Sequence, residues 1–299
     1  MTTGRVGPYQ HLTPEKVLSA TRLVKSGQVI SLDLPVDAPP LVPEPLGRPG
    51  LRHKPRMHNQ VRSRSDGTYV VVNDDVVEFA LQGSSHWDAL AHWGAIEPGD
   101  PAVFAGGAAY EETFPEFGAK TLGIDALAGG VVTRAVLLDL VGLLEGPDVA
   151  YLPDDRRVGA AEIRSCLTRI GVTLAPGDAV VVYTGFQARV RELGFVREID
   201  GTPVGLAPGL ALDALDVFGP AGTFALIGDN PSVEANPMGD GRFHTVALKH
   251  WGIYLGELWA LEELVAACRA DDRWEFLLVS SPLYVRKAFG SPANALALR

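Results

Sequence analysis

Cysteine is nearly absent: Cys166 and Cys268 are the only two in 299 residues. Two are too few for a disulfide scaffold or a thiolate zinc site. Positive charge is also short, with 26 Lys and Arg against 36 Asp and Glu and a net charge of −10. An acidic chain lacks the basic footprint that phosphate backbones require, which excludes nucleic acid as a general partner. Long apolar runs are missing, since no stretch approaches the ~18–20 apolar residues of a membrane span. The opening MTTGRVGPYQ carries no apolar segment of the signal-peptide kind. The expectation is a cytoplasmic protein with no membrane partner. Phosphate loops are absent too, because Gly106 and Gly107 stand outside any G-x-x-x-x-G-K-[ST] or G-x-G-x-x-G context.

What remains is an ordinary globular composition, with 46% hydrophobic and 21% charged residues. Glycine and proline are dispersed, as in turns. No linker or internal repeat is visible, so residues 1–299 are read as one domain. Thr13-Pro14-Glu15 offers an N-cap followed by proline at the first helical position. Val17, Ala20, Thr21 and Val24 continue that helix, and Gly27 ends it. Strands are expected at 29–34, 69–72, 76–81, 130–141, 179–183, 223–227, 253–255 and 277–280. A helix is expected at 162–170 and another along Leu258, Leu261, Leu264, Val265 and Cys268. Residues 35–65, rich in Pro, Arg and His, show no periodicity and read as a long irregular segment. Together these elements predict a mixed α/β fold.

The chemistry concentrates in Gln82-Gly83-Ser84-Ser85-His86-Trp87-Asp88-Ala89-Leu90-Ala91-His92. In an extended segment His86 and Asp88 share a face. If a helix starts near Asp88, His92 follows one turn on and joins them. Imidazole and carboxylate form a nitrogen and oxygen donor set suited to Zn²⁺ or Mn²⁺. The blander alternative is a capping aspartate with two packed or exposed histidines. Two further clusters are His244, His250 and Glu257, with Glu257 expected at a helix start, and Asp229 with Glu234 after a strand. Ser85 beside His86 does not make a triad, because strand neighbours face opposite ways and no G-x-S-x-G elbow is present. Cys166 and Cys268 fit apolar helical faces as packing residues.

At these residues the chain resembles the metal-dependent cyclase family, which includes kynurenine formamidase, isatin hydrolase and polyketide cyclases. The family signature is H-x-G-T-H-x-D-x-P-x-H, and His86, Asp88 and His92 match it. Gln82 replaces its first histidine, Ser84 its glycine, Ser85 its threonine and Leu90 its proline. Leu12-Thr13-Pro14-Glu15, residues 118–124, 130–134 and 176–186, Asp229-Asn230 with Glu234, and His244 with Glu257 resemble further landmarks of the family's long branch. The resemblance implies a swivelling β/β/α domain of mixed sheets with flanking helices, found as a homodimer or homotetramer. It implies a divalent metal, zinc or manganese, held by His86, Asp88 and Gln82. His92 would be the general base or, in two-metal members, a ligand of the second ion, and His244 and Glu257 would orient it or complete that second metal position.

The implied activity is hydrolysis of a small aromatic amide, lactam or ester. The alternatives are a cyclase or dehydratase of a polyketide-like intermediate and a metal-free binding homologue. Trp87, Trp93, Phe104 and Tyr110 are candidates for an aromatic substrate wall, with core packing as the other reading. The basic run Arg52-His53-Lys54-Pro55-Arg56 is either a contact for an anionic substrate group or a solvated loop.

Overall fold

The computed structural model describes residues 7–37, 48–114, 116–194, 196–199 and 202–299. Its core is a nine-stranded mixed sheet, in line with the expected mixed α/β class. From one edge to the other the strands run Val29–Ser31, Ala295–Leu298, Glu275–Ser280, Val131–Asp139, Ala179–Tyr183, Ala225–Gly228, Tyr254–Glu257, His86–Asp88 and Gly290–Pro292. The four strands from Val131–Asp139 to Tyr254–Glu257 are parallel. The flanking strands are antiparallel. Ala179–Tyr183 and Ala225–Gly228 are buried along their whole length. That is why they read as continuous apolar runs rather than alternating patterns.

Thr13 caps the first helix, Pro14–Thr21, by accepting from the Lys16 amide at 3.3 Å. This helix packs on Val131–Asp139. Ala160–Arg169 and Glu262–Asp271 bury apolar stripes that include Cys166 and Cys268. Burial raises both thiols, to about 11 and about 12, which suits packing residues.

The sheet curls strongly. Gly290–Pro292 and Ala295–Leu298 are almost consecutive in the chain, yet one forms an edge and the other lies beside the opposite edge. Ala293 between them donates to the Ser85 carbonyl at 3.0 Å. Its own carbonyl accepts from Ser280 Oγ, which in turn accepts from Trp87 Nε1 at 2.8 Å. The curl therefore draws His86–Asp88 toward the far side of the sheet and buries it.

Three expectations are corrected. Residues 52–63 of the stretch 35–65 are not irregular: Arg52–Ser63 is a strand that pairs antiparallel with Tyr69–Glu78, itself one strand where two were expected. Register shifts between Pro55 and Gln60 break the alternation that would have revealed it. Residues 38–47 lie outside the described residues. Glu257 does not open a helix but ends the strand Tyr254–Glu257, and the helix begins at Glu262. Leu258, at φ 59°, turns the chain between the two. No helix begins at Asp88 either, for His92 follows a turn closed by its amide on the Ala89 carbonyl at 2.8 Å. Among the described residues, no helix is long and apolar enough to cross a membrane.

Candidate active site

Strand alternation sets the site. His86 and Asp88 face one side of the sheet and Trp87 the other. Directly across the ladder from His86 stands Glu257. The ligand atoms of His86, Asp88 and Glu257 all lie within 4.8 Å of one another, and all three residues are buried. His86 Nε2 is 3.6 Å from Asp88 Oδ1 and 3.3 Å from Glu257 Oε2.

This set fits a divalent cation. His86 Nδ1 meets the Ser84 carbonyl oxygen at 2.7 Å. A carbonyl only accepts, so Nδ1 carries a proton and the lone pair of the neutral ring sits on Nε2. Metal-binding histidines are held in this way, with the remote nitrogen donating to a backbone carbonyl. Among the described residues, His86 Nε2 and Asp88 Oδ2 are buried without hydrogen-bond partners. Burial works against charge on His86, but Glu257 and Asp88 outweigh it and raise its pKa. Two carboxylates around one imidazole thus attract a positive charge, which a metal ion supplies without a proton.

Glu257 also leads outward. Its Oε1 accepts from His244 Nε2 at 3.2 Å, and His244 Nδ1 meets Glu234 Oε1 at 2.7 Å. Burial opposes charge on His244, yet the two carboxylates push its pKa up to about 10. Burial also opposes charge on Glu257, and its bond to His244 together with the nearby His86 imidazole outweighs that and holds it low. Glu234, His244 and Glu257 therefore form a buried charged relay behind the donor set. His244 lies in Arg242–His244, at the entry of the π-helical turn Thr245–Trp251. Trp93 packs on its ring at 5.3 Å and donates to Thr245 Oγ1 at 3.0 Å.

Gln82 and His92 close the other side. Gln82 Nε2 lies 3.3 Å from Asp88 Oδ1 and 2.8 Å from His92 Nδ1. In this orientation the amide nitrogen, not the oxygen, faces the carboxylate, so Gln82 serves as a hydrogen-bond partner of the set. His92 Nε2 points toward Asp88 Oδ1 at 3.7 Å. Its side chain keeps 22% exposure, whereas those of His86, Asp88, His244 and Glu257 are buried.

That exposure opens onto a cleft of about 540 Å³, lined by Gln82, His92, Phe104, Tyr110, Phe289 and Arg48 among others. Gly94 is required there, because a Cβ would meet the Phe104 ring at 2.6 Å. Phe104 and Tyr110 thus stand in the wall where the sequence expected aromatics, and Trp93 lies behind it against His244. Trp87 does not. It is 0% exposed and packs edge-on to Trp259 at 4.9 Å, on the opposite face of its strand from His86. The Arg52–Arg56 run is likewise displaced, onto the exposed hairpin, where Arg52 and His53 pair with Glu78 and Asp75.

His250 joins Glu97 at the surface, 3.1 Å away, and not the site. Asp229 accepts from Thr184 and from the Phe186 amide, tying down the start of the Phe186–Leu193 helix. The Ser84 carbonyl and Arg48 were missed in the sequence. A backbone carbonyl leaves no compositional signal, and Arg48 is one arginine in a run of irregular sequence.

A family model described as "Putative cyclase" matches residues 24–235. Glu257 and His244 are contributed from beyond that span. Similar solved structures include one described as a novel cyclase, with 27% identity, TM-score 0.82, and coverage of 98% of this chain and 94% of that one. Isatin hydrolase A from Labrenzia aggregata, bound to benzyl benzoate, has 15% identity, TM-score 0.65, and coverage of 95% and 97%. An isatin hydrolase bound to the product analogue thioisatinate has 17% identity, TM-score 0.63, and coverage of 96% and 99%. The two hydrolases share the fold. No curated protein matches the chain. With the His86, Asp88 and His92 motif in place and the model spanning most of its length, the chain belongs to the cyclase family.

Proposed function

We propose that the protein is a metal-dependent hydrolase of a small aromatic amide, lactam or ester. The observation that carries this reading is the pair of unpartnered buried atoms, His86 Nε2 and Asp88 Oδ2, facing Glu257 beside a cleft-exposed histidine. His86, Asp88 and Glu257 would hold the ion, zinc or manganese by its donor chemistry. Such an ion supplies Lewis acidity to a carbonyl oxygen and acidity to a water molecule. His92 takes the proton of the attacking water and returns it to the leaving nitrogen or oxygen. Gln82 Nε2 contacts both His92 Nδ1 and Asp88 Oδ1 and so positions the imidazole beside the carboxylate for this work. Glu234 and His244 hold Glu257 in place. Phe104 and Tyr110 flank a flat substrate.

A polyketide-type cyclisation uses the same base beside the same Lewis acid, and the family's description favours it as the second reading. The test loads purified protein with Zn²⁺ or Mn²⁺, measures bound metal, and offers formyl-arylamine, isatin-like and polyketide-like substrates. Hydrolysis of the first two classes, lost in His92→Ala by about 10²–10⁴-fold, supports the reading. Turnover of the third class alone favours cyclisation, and failure to bind either metal favours a binding homologue.

The same proposal includes a homo-oligomer in the cytoplasm. The hairpin Arg52–Glu78 exposes Val61, Tyr69, Val71, Val76 and Val77 on a ribbon that pairs with no third strand among the described residues. A lone two-stranded ribbon is marginal in water, so a second copy covering it is the economical explanation. Two free cysteines fit a reducing compartment. Light scattering on purified protein, before and after truncation of the hairpin tip, reads the assembly.

A further inference from the structure

Arg48 is the only charged side chain among the described residues lining the cleft, apart from the titratable His92. Its one hydrogen bond among the described residues is from Nη1 to the Gln82 carbonyl at 2.8 Å. No described carboxylate pairs with it. The rest of the lining carries no charge: Gln82, Tyr110 and Thr113 are its other polar side chains, and the remainder is apolar or glycine. A guanidinium is a planar fork of five N–H donors, permanently charged and matched in shape to a carboxylate. One donor anchored to backbone leaves the remainder free and the fork's direction fixed.

We propose that Arg48 is a specificity-determining residue that receives a planar carboxylate in the cleft, on a small aromatic acid. This rests on the reading of the cleft as the substrate site. The carboxylate has two sources. It is either a group the substrate already carries or the one made when water adds to the acyl carbon, the C–N or C–O bond breaks, and the leaving atom takes the proton. Arg48 thus fills the role that the sequence offered to Arg52–Arg56. Its position in chain order, next to the hairpin but before it, places the cation at the cleft while the hairpin carries the rest away.

The test is calorimetric binding of benzoate and of benzamide to the metal-loaded protein and to its Arg48→Gln and Arg48→Lys variants. Wild type should prefer benzoate, and Arg48→Gln should weaken benzoate by roughly tenfold or more while leaving benzamide unchanged. Arg48→Lys should recover part of the preference, which separates loss of charge from loss of fold. An equal benzoate preference in wild type and Arg48→Gln overturns the inference and spares the cleft. Failure of both ligands to bind wild type overturns the cleft assignment, and this inference with it. Kinetics identify the source. A raised KM only for carboxylated substrates in Arg48→Gln marks the substrate's own group. A raised inhibition constant for the acid product, with unchanged kcat/KM for neutral substrates, marks the nascent one.

Discussion

Glu257 stands opposite His86 in the antiparallel ladder, and their side chains meet at 3.3 Å. This pairing joins a segment inside the cyclase signature to one well beyond the family-matched span. It makes the third member of the donor set, a carboxylate, a property of sheet topology. Only the curl that seats His86–Asp88 beside Tyr254–Glu257 brings it in.

The first prediction separates ligands from positioning residues. His86→Ala, Asp88→Ala and Glu257→Gln should each remove most of the bound metal, read by elemental analysis after dialysis. Glu234→Gln acts through His244, two hydrogen bonds from Glu257, and should weaken metal affinity by no more than about tenfold. Gln82→Ala should keep the metal and lose turnover, because its amide holds Asp88 and His92. Metal loss in Gln82→Ala equal to that in His86→Ala would make Gln82 a ligand instead.

Two aromatics from the same sequence reading should behave in opposite ways. Trp87 is 0% exposed and anchored to Ser280, whereas Tyr110 is 65% exposed at the cleft. Trp87→Ala should cost about 3–5 kcal/mol of stability, seen as a lower denaturant midpoint. Tyr110→Ala should leave stability within ~0.5 kcal/mol and raise KM. A KM effect of Trp87→Phe without loss of stability would place Trp87 in the substrate wall after all.

These outcomes show what the sequence could and could not carry. Period-2 alternation is local, so the shared face of His86 and Asp88 was legible before any fold was known. The buried parallel strands were legible because both faces are apolar. The role of Glu257 was obscured by its place just before an apolar helical stripe, which reads as a helix start. Leu258 at positive φ breaks that continuity, and no pattern of residue types announces it. The hairpin was illegible for the related reason that its register shifts scramble the alternation. Trp87 was misplaced because an aromatic next to site residues looks the same in sequence whichever face it takes.

Burial gives Asp229 a distinct pH signature. Its carboxyl is pushed up to about 6 from 3.8 by burial, against the opposing hydrogen bonds of Thr184 and Phe186. Between these values the folded state binds more protons than the unfolded chain, so stability falls as pH rises. The contribution is fully present below about pH 4 and lost above about pH 6, and the shift of roughly two units corresponds to about 3 kcal/mol. Urea melts at pH 4 and pH 7 should show this fall in wild type relative to Asp229→Asn. Parallel curves for the two proteins across that range would remove Asp229 as the cause.

Lys249 ties the cleft wall to the helix that follows His244. Its buried ammonium donates to the Ala95 carbonyl at 3.2 Å, pairs with Asp100 at 3.1 Å, and pairs with Glu97. The segment it holds supplies Gly94, Ile96, Val103 and Phe104 to the cleft. Its partners Glu97 and Asp100 are more than a third exposed, so solvent screens both pairs. Lys249→Met keeps the apolar stem and removes the charge, and it should cost only about 1 kcal/mol of global stability. Its larger effect should be local, because the Ala95 carbonyl and two carboxylates lose their common anchor. Hydrogen exchange should then accelerate at residues 95–102, and KM should rise several-fold while metal content stays unchanged. Unchanged exchange with a raised KM would mean that Lys249 acts on the substrate by its field alone, not by fixing the wall.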